Sequence, residues 1–358
     1  MRNKVHIVYF CDFDLSNPTG GKHRATKQKI EALQRKSNQF KAFYLTKPGH
    51  FYKVFFGISL DVQCALYLLK HRPDALIARG GSNYLSLFVT KFLGIRTARE
   101  VHGVFSNEIN LLPHKGLRLK LIVLITKFYS KLDDLADIRI FNHPFVYEHY
   151  KKQERTQPFD LVCYNGFSTG AAAPINKEQS RKKYGLKANQ RYLAFTGSVS
   201  EWHGVEYLVS LQQEFNRHGD NITIVVAGGS MAEYDSNGLC INVSPLNEVG
   251  CSEIITASDA CLLPVKNNRI SPGSPLKLYD YIAHKKYIFA QDIAGYSDEV
   301  ERYDVGCTVN FADAASTRLA IANFFKIKKQ YDDMYEDKPV TWDDRILNWL
   351  DNIKASLV

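Results

Sequence analysis

The stretch Ser274-Pro275-Leu276-Lys277-Leu-Tyr-Asp280 sets a hydroxyl, a cation and a carboxylate within seven residues. Ser274 can cap a helix that begins at Pro275, which leaves free N–H groups and the Lys277 ammonium in the first turn, where a diphosphate would be stabilised. Asp280 lies three residues beyond Lys277, on the same face, and can accept bonds from ribose hydroxyls. An ordinary capped helix with a surface Lys–Asp pair would give the same pattern.

Three further places combine glycine with polar groups after an apolar run. Phe195-Thr-Gly197-Ser198 ends one run, and His203-Gly204 follows just before a helical pattern; the Gly197 and Ser198 amides can receive a phosphate oxygen, with His203 as an added donor. Arg99-Glu-Val-His102-Gly103 closes another run with a histidine at its carboxyl end, a better place for a ligand than most histidines occupy. Near the start, Gly20-Gly21-Lys22 opens a helix with close backbone approach and a cation, but without the GxGxxG spacing of a dinucleotide site. Each is also compatible with a plain tight turn.

Alternating apolar runs and helical patterns position these groups. Strands are predicted at Val5–Phe10, Ala42–Leu45, Ala75–Ala78, Thr97–Val101, Ile138–Phe141 and Leu161–Tyr164. A second series follows at Tyr192–Thr196, Ile222–Ala227, Leu239–Val243, Ala260–Leu263, Tyr287–Ala290 and Cys307–Asn310. Helices are predicted among them at Lys22–Lys36, Asp61–His71, Val205–Arg217, Glu248–Ala257, Leu276–Ala283 and Ser316–Gln330. Pro339 separates end pieces at Lys326–Glu336 and Trp342–Ala355. The βαβα order implies α/β architecture with parallel sheets, and 358 residues exceed one hydrophobic core, so two doubly wound domains are expected. The small-residue-rich stretch Asn165–Lys187 marks the boundary. The divisions are 1–168, 169–335 and a terminal helix over 336–358, a candidate to pack back on the first domain.

The net charge of +9 is uneven: residues 1–165 hold 26 Lys+Arg against 13 Asp+Glu. Without an RRM, KH, zinc-finger or helix-turn-helix signature, nucleic acid is disfavoured, and an anionic membrane surface or a phosphorylated acceptor is preferred. Lys115–Lys131 joins an apolar helical stripe to Arg118, Lys120, Lys127 and Lys131 and could lie on such a surface, although a half-buried helix reads the same way. Seven scattered cysteines without a CxxC pair suggest reduced thiols and no metal centre. With no secretory leader and no long apolar run, the chain is expected in the cytoplasm, or peripheral on the inner face of the cell membrane.

Taken in order, Gly20-Gly21, Glu100-Val-His-Gly103, Tyr164-Asn-Gly166, Phe195-Thr-Gly-Ser198, Trp202-His-Gly204, Ile224-Val-Val-Ala-Gly228, Ala257–Pro264 and Ser274–Ala283 followed by Gly295 resemble the retaining glycosyltransferases of family 4. The resemblance spans nearly the whole chain. It implies the GT-B fold, two Rossmann-like domains facing across a cleft, and transfer from a nucleotide-diphosphate sugar (UDP- or GDP-sugar) to a lipid-linked glycan in surface polysaccharide biosynthesis, with no metal or other cofactor. The candidate catalytic set is His102, Lys277 and Asp280. Gly197, Ser198, His203, Ser274, Pro275, Leu276, Lys277 and Asp280 would hold the donor; Gly20, Gly21, Lys22, His102 and Gly103 would lie on the acceptor and sugar side. Two positions depart from the family pattern: Pro272 stands where its first glutamate is usual, and His203 where a lysine is usual. The rival readings are a nucleotide-sugar epimerase on the same fold and a non-catalytic nucleotide-sugar-binding or scaffold subunit.

Overall fold

The computed structural model describes residues 5–16, 21–46, 50–80, 83–103, 116, 119–120, 123–124, 131, 133–168, 175–199, 203–266, 274–327 and 340–357, with backbone alone over 50–57. The chain divides into two compact units. Unit 1 comprises residues 1–166 and 340–358, and unit 2 comprises residues 167–339. The sequence-based divisions at 168 and 335 differ from these by two and four residues.

Unit 1 holds strands β1 (His6–Asp14), β2 (Gln39–Leu45), β3 (Ala75–Arg79), β4 (Arg96–Val101), β5 (Ile138–Phe141) and β6 (Leu161–Val162). They form one sheet in the order β2-β1-β3-β4-β5-β6, each described pair parallel. Its helices are α1 (Gly21–Lys36), α2 (His50–His71), α3 (Tyr84–Leu93) and α4 (Pro144–Lys151). Strands such as Ala75-Leu-Ile-Ala-Arg79 are buried along their whole length, as expected when helices cover both faces of a parallel sheet.

Unit 2 repeats the plan with β7 (Arg191–Gly197), β8 (Ile222–Gly228), β9 (Ile241–Val243), β10 (Ala260–Leu263), β11 (Tyr287–Gln291) and β12 (Gly306–Val309), in the order β12-β11-β10-β7-β8-β9. Its helices are α5 (Lys177–Lys183), α6 (Val205–Arg217), α7 (Glu248–Ala257), α8 (Leu276–Ala283), α9 (Ser297–Arg302) and α10 (Ala314–Lys326). The strand order reverses between β1 and β3 in unit 1 and between β7 and β10 in unit 2, and ligands favour the carboxyl ends at such reversals.

The last helix, α11 (Trp342–Ser356), returns to unit 1 and packs against α1. A Thr341/Asp344 capping box starts it, and Trp342, Ile346, Trp349, Leu350 and Ile353 form its buried stripe. The returning backbone passes so close to Gly166 that an added Cβ would lie 2.9 Å from the Val340 carbonyl oxygen. This contact gives the Tyr164-Asn-Gly166 motif a steric reason.

Several sequence-based boundaries shift for identifiable reasons. The strand predicted from Leu239 begins at Ile241, because the Asp235 carboxylate accepts from the Leu239 and Cys240 amides and holds them in a turn. β6 stops at Val162, two residues early, and α2 begins at His50 rather than Asp61. α10 ends at Lys326, and most of the helix predicted over Lys326–Glu336 lies outside the described residues, as does most of Lys115–Lys131.

Trp349 is 2% exposed in the core that α11 shares with α1. Trp349→Ala is expected to destabilise unit 1 by about 3–5 kcal/mol, as other large-to-small core changes do. Chemical denaturation followed by circular dichroism measures this, and a loss below about 1 kcal/mol would show that α11 is not part of the folded core.

Candidate active site

In unit 1 the site is built around the carboxyl end of β4. Side chains alternate along a strand, so Glu100 and His102 share a face. The Glu100 side chain is 1% exposed, and His102 Nε2 lies 2.7 Å from its Oε2. Lys29 of α1 donates to the same oxygen, Arg79 at the end of β3 reaches it at 3.5 Å, and the Tyr9 hydroxyl of β1 donates to Oε1 at 2.6 Å. The Lys29 ammonium lies 5.1 Å and 5.5 Å from the ring centroids of Trp342 and Trp349, so α11 covers it with two aromatic faces. Asn142, Cys163 and Asn165 complete a small cavity beside His102.

The charges sort themselves by proximity. Burial alone would raise Glu100, but Lys29, Arg79 and the His102 bond hold it well below the usual carboxylate range. Burial, then the Arg79 cation, lowers Lys29 to about 8, against the pull of Glu100. Burial followed by the two cations pushes His102 down to about 3, again opposed by Glu100. Near neutral pH the imidazole is therefore uncharged. Facing an ionised carboxylate, its Nε2 carries the proton and donates it, which leaves Nδ1 as an acceptor. Such a group suits a hydroxyl donor better than an anion.

Gly21 and Lys22 are the exposed first residues of α1; Gly20 lies outside the described residues, and Gly103 follows His102 half-buried. The Lys22 ammonium stands 5.2 Å from the Phe13 ring centroid, and the Arg79 guanidinium stands 5.3 Å from the same ring. One aromatic ring thus connects Lys22 to the Glu100 network.

In unit 2 the site gathers where the strand order reverses. Gly197 and Gly228 end the paired strands β7 and β8 in register, with φ of 108° and 107°, a region that favours glycine. A Cβ on Gly228 would stand 2.9 Å from the Gly197 carbonyl oxygen. Lys277 lies over this turn: a Cβ on Gly197 would be 3.8 Å from both its Cε and its Nζ. Its ammonium also sits 3.9 Å from the centroid of the buried Phe195 ring, while His203 meets that ring edge-on at 6.1 Å. Ser198, next along the loop, is exposed.

Helix α8 is pinned by two tyrosines on its buried face. The Tyr281 hydroxyl accepts from the Thr196 amide at 3.1 Å and bonds the Leu262 carbonyl at 3.3 Å, bridging β7 and β10. Tyr279 bonds Ser274 at 2.7 Å and the Glu299 carboxylate at 3.0 Å. Leu278, Tyr279, Tyr281 and Ile282 are buried, and Lys277 and Asp280 occupy the half-buried opposite face with Leu276. The Ser274 cap expected at Pro275 is corrected: the helix begins at Leu276, its cap position is Pro275 without a side-chain bond, and the Ser274 hydroxyl is taken by Tyr279. Pro272 lies outside the described residues.

The structure thus brings together Gly197, His203 and Lys277 around Phe195, and His102 with Glu100. Sequence reasoning did not assign Glu100, Lys29, Arg79, Tyr9, Phe195 or the α11 tryptophans to the site. The two-residue spacing of Glu100 and His102 was the available signal for the first. Among the described residues no group of His, Cys, Asp and Glu is arranged to hold a metal ion.

Residues 176–339 match the family described as glycosyl transferases group 1. No curated protein sequence matches the chain. Among solved structures it is similar to HepE from Anabaena in complex with UDP, at 13% identity and TM-score 0.69, covering 99% of this chain and 100% of that one. It is also similar to sucrose-phosphate synthase from Thermosynechococcus elongatus, at 15% identity, TM-score 0.62, and 98% and 94% coverage. A third is a putative UDP-N-acetylglucosamine 2-epimerase from Listeria monocytogenes, at 10% identity, TM-score 0.62, and 99% and 96% coverage. The chain has the GT-B fold, and the residues that match the glycosyl transferases group 1 family fall within unit 2.

The His102 environment makes a pH prediction. Unfolded histidine binds a proton below about pH 6.5, whereas folded His102 does so only near 3. The unfolded state holds more protons between those values, so this stability is present above about 6.5 and is lost as pH falls toward 3. The stability difference between wild type and His102→Gln should therefore shrink steadily as pH is lowered from 7 to 4 in urea titrations. A constant difference would mean that folded His102 protonates normally.

Proposed function

We propose that this chain, whose residues 176–339 match the group 1 glycosyl transferases, is a retaining, metal-independent glycosyltransferase that moves a sugar from a UDP- or GDP-sugar to a glycan acceptor. We take the acceptor to be lipid-linked and the setting to be surface polysaccharide biosynthesis, as the resemblance to family 4 implies. The observation that carries the reading is Lys277 laid over the left-handed Gly197 turn and held against Phe195. A diphosphate there would receive backbone N–H bonds from Gly197 and Ser198, and charge from Lys277. His203, against the same ring, adds a donor, and Asp280, on the Lys277 face, accepts ribose hydroxyls.

The chemistry asks for positioning more than for proton relays. The bond from the anomeric carbon to the diphosphate oxygen breaks, and that carbon bonds the acceptor oxygen on the same face. The acceptor's proton passes to the departing diphosphate. Lys277 and the turn amides stabilise the negative charge that grows on the leaving group. Neutral His102 orients a sugar hydroxyl through Nδ1, and Glu100 fixes the ring that does so.

The UDP complex of HepE makes uridine nucleotides the first to try. A nucleotide that binds only the folded protein adds about 2.7 kcal/mol at about 100 times its Kd. This corresponds to a rise of roughly 5–10 °C in the melting temperature of a unit this size. We expect one of UDP, GDP, ADP and CMP to give that rise with wild type and to lose it with Lys277→Ala and Asp280→Ala. Sugar transfer or donor hydrolysis with wild type would separate the enzyme from a non-catalytic binding subunit. No shift with any nucleotide, in a folded sample, would remove the donor site from α8.

A further inference from the structure

Two neighbouring helices of unit 1 turn an apolar surface to solvent. On α2 the core takes Leu60, Cys64, Ala65 and Leu68, together with Asp61. At about 100° per residue, Ile58, Val62, Leu66 and Leu69 fall on a separate strip on the flank next to Asp61 and Ala65. They are exposed, Ile58 to 62% and Leu66 to 60%. Asp61 is also what joins the two helices: its carboxylate accepts from the Leu85 and Ser86 amides of α3 at 2.7 Å and 2.9 Å. On α3, Ser86 and Val89 face inward, and Phe88 and Phe92, one turn apart, are 73% and 80% exposed. The strips lie on two helices that pack together and are joined at Asp61, and six exposed large apolar side chains on one such pair exceed the scattered single residues of an ordinary surface.

Charge identifies what would cover it. Asp61 is the only acid in either helix, and it is buried in the bonds to α3. Lys70 and Lys91 are exposed at the border. Asp137, beyond the end of α3, is tied to Lys91 at 2.6 Å and to Thr97. An apolar face edged by Lys70, with its one acid buried, complements a layer of anionic headgroups over acyl chains. The excess of Lys and Arg in residues 1–165 extends the same field. A second copy of the chain would bring the same cations face to face.

We propose that the α2–α3 surface, with Phe88 and Phe92 inserted, docks the protein on an anionic lipid surface. This rests on the reading of a lipid-linked acceptor for its purpose, and it replaces Lys115–Lys131 as the contact. Among the described residues no helix is long and apolar enough to cross a membrane; the contact proposed is a peripheral one.

Flotation with phosphatidylcholine vesicles, with and without phosphatidylglycerol, tests it without donor or acceptor. Wild type should float with the mixed vesicles and much less with phosphatidylcholine alone. Phe88→Ser/Phe92→Ser should reduce binding by about tenfold or more, while keeping the nucleotide-induced thermal shift of wild type. Exposed substitutions of this kind leave stability nearly unchanged. Equal flotation of variant and wild type would overturn the proposal, as would failure of wild type to float. So would self-association of wild type, in sedimentation, that the double variant abolishes without any vesicle binding. Failure of the nucleotide shift in both proteins, with flotation intact, would count against the donor site alone.

Discussion

A carboxylate kept ionised away from water organises unit 1. Burying such a charge costs several kcal/mol unless it is matched by partners with good geometry. Glu100 obtains its partners from four directions: Tyr9 on β1, Lys29 on α1, Arg79 at the end of β3, and His102 two residues along its own strand. β4 is thereby tied to three other elements at the edge where a ligand would arrive. The arrangement also fixes the imidazole, because the ionised oxygen dictates which ring nitrogen holds the proton. The positive partner needs cover of its own, and the indoles of α11 supply it.

Unit 2 solves the same problem of positioning by other means. Its organising group is the Phe195 ring, fully buried, with a lysine on one face and a histidine at its edge. The helix that carries Lys277 is oriented by the hydroxyls of Tyr279 and Tyr281 from beneath. The inward face of α8 is locked, and its outward face carries Lys277 and Asp280. One unit uses a buried charge to set a neutral group, and the other uses an apolar ring to set a charged one.

The fold was largely legible because parallel strands buried on both faces are continuous apolar runs, and Val205–Arg217, Glu248–Ala257 and Leu276–Ala283 have the expected bounds. Gly197, His203 and His102 stood out as candidates because glycine turns after strands mark the ligand edge, and Lys277 because it stands in the first turn of a helix. What escaped was anything set by contact over long separation. Lys29 reads as one more lysine of an amphipathic helix, and its partner lies 71 residues away. Trp342 reads as a core residue of a terminal helix, yet its Nε1 bonds Gln28, 314 residues back. Ser274 escaped for the opposite reason: its local capping role was plausible, but a tyrosine hydroxyl five residues on competes for the same oxygen. The α2–α3 surface was hidden because an apolar strip looks alike whether it faces a core or a solvent.

The division of unit 1 into 1–166 and 340–358 has a consequence for biosynthesis. A ribosome delivers β1 to β6 first, then all of unit 2, and only afterwards the helix that shields Lys29. The nascent sheet must therefore wait through some 170 residues of translation with its central ion pair uncovered, while unit 2, contiguous in sequence, can close as it emerges. Chains released early, anywhere in the stretch after unit 2, would carry a finished unit 2 joined to an unfinished unit 1, and that half-built state is the one quality control would meet.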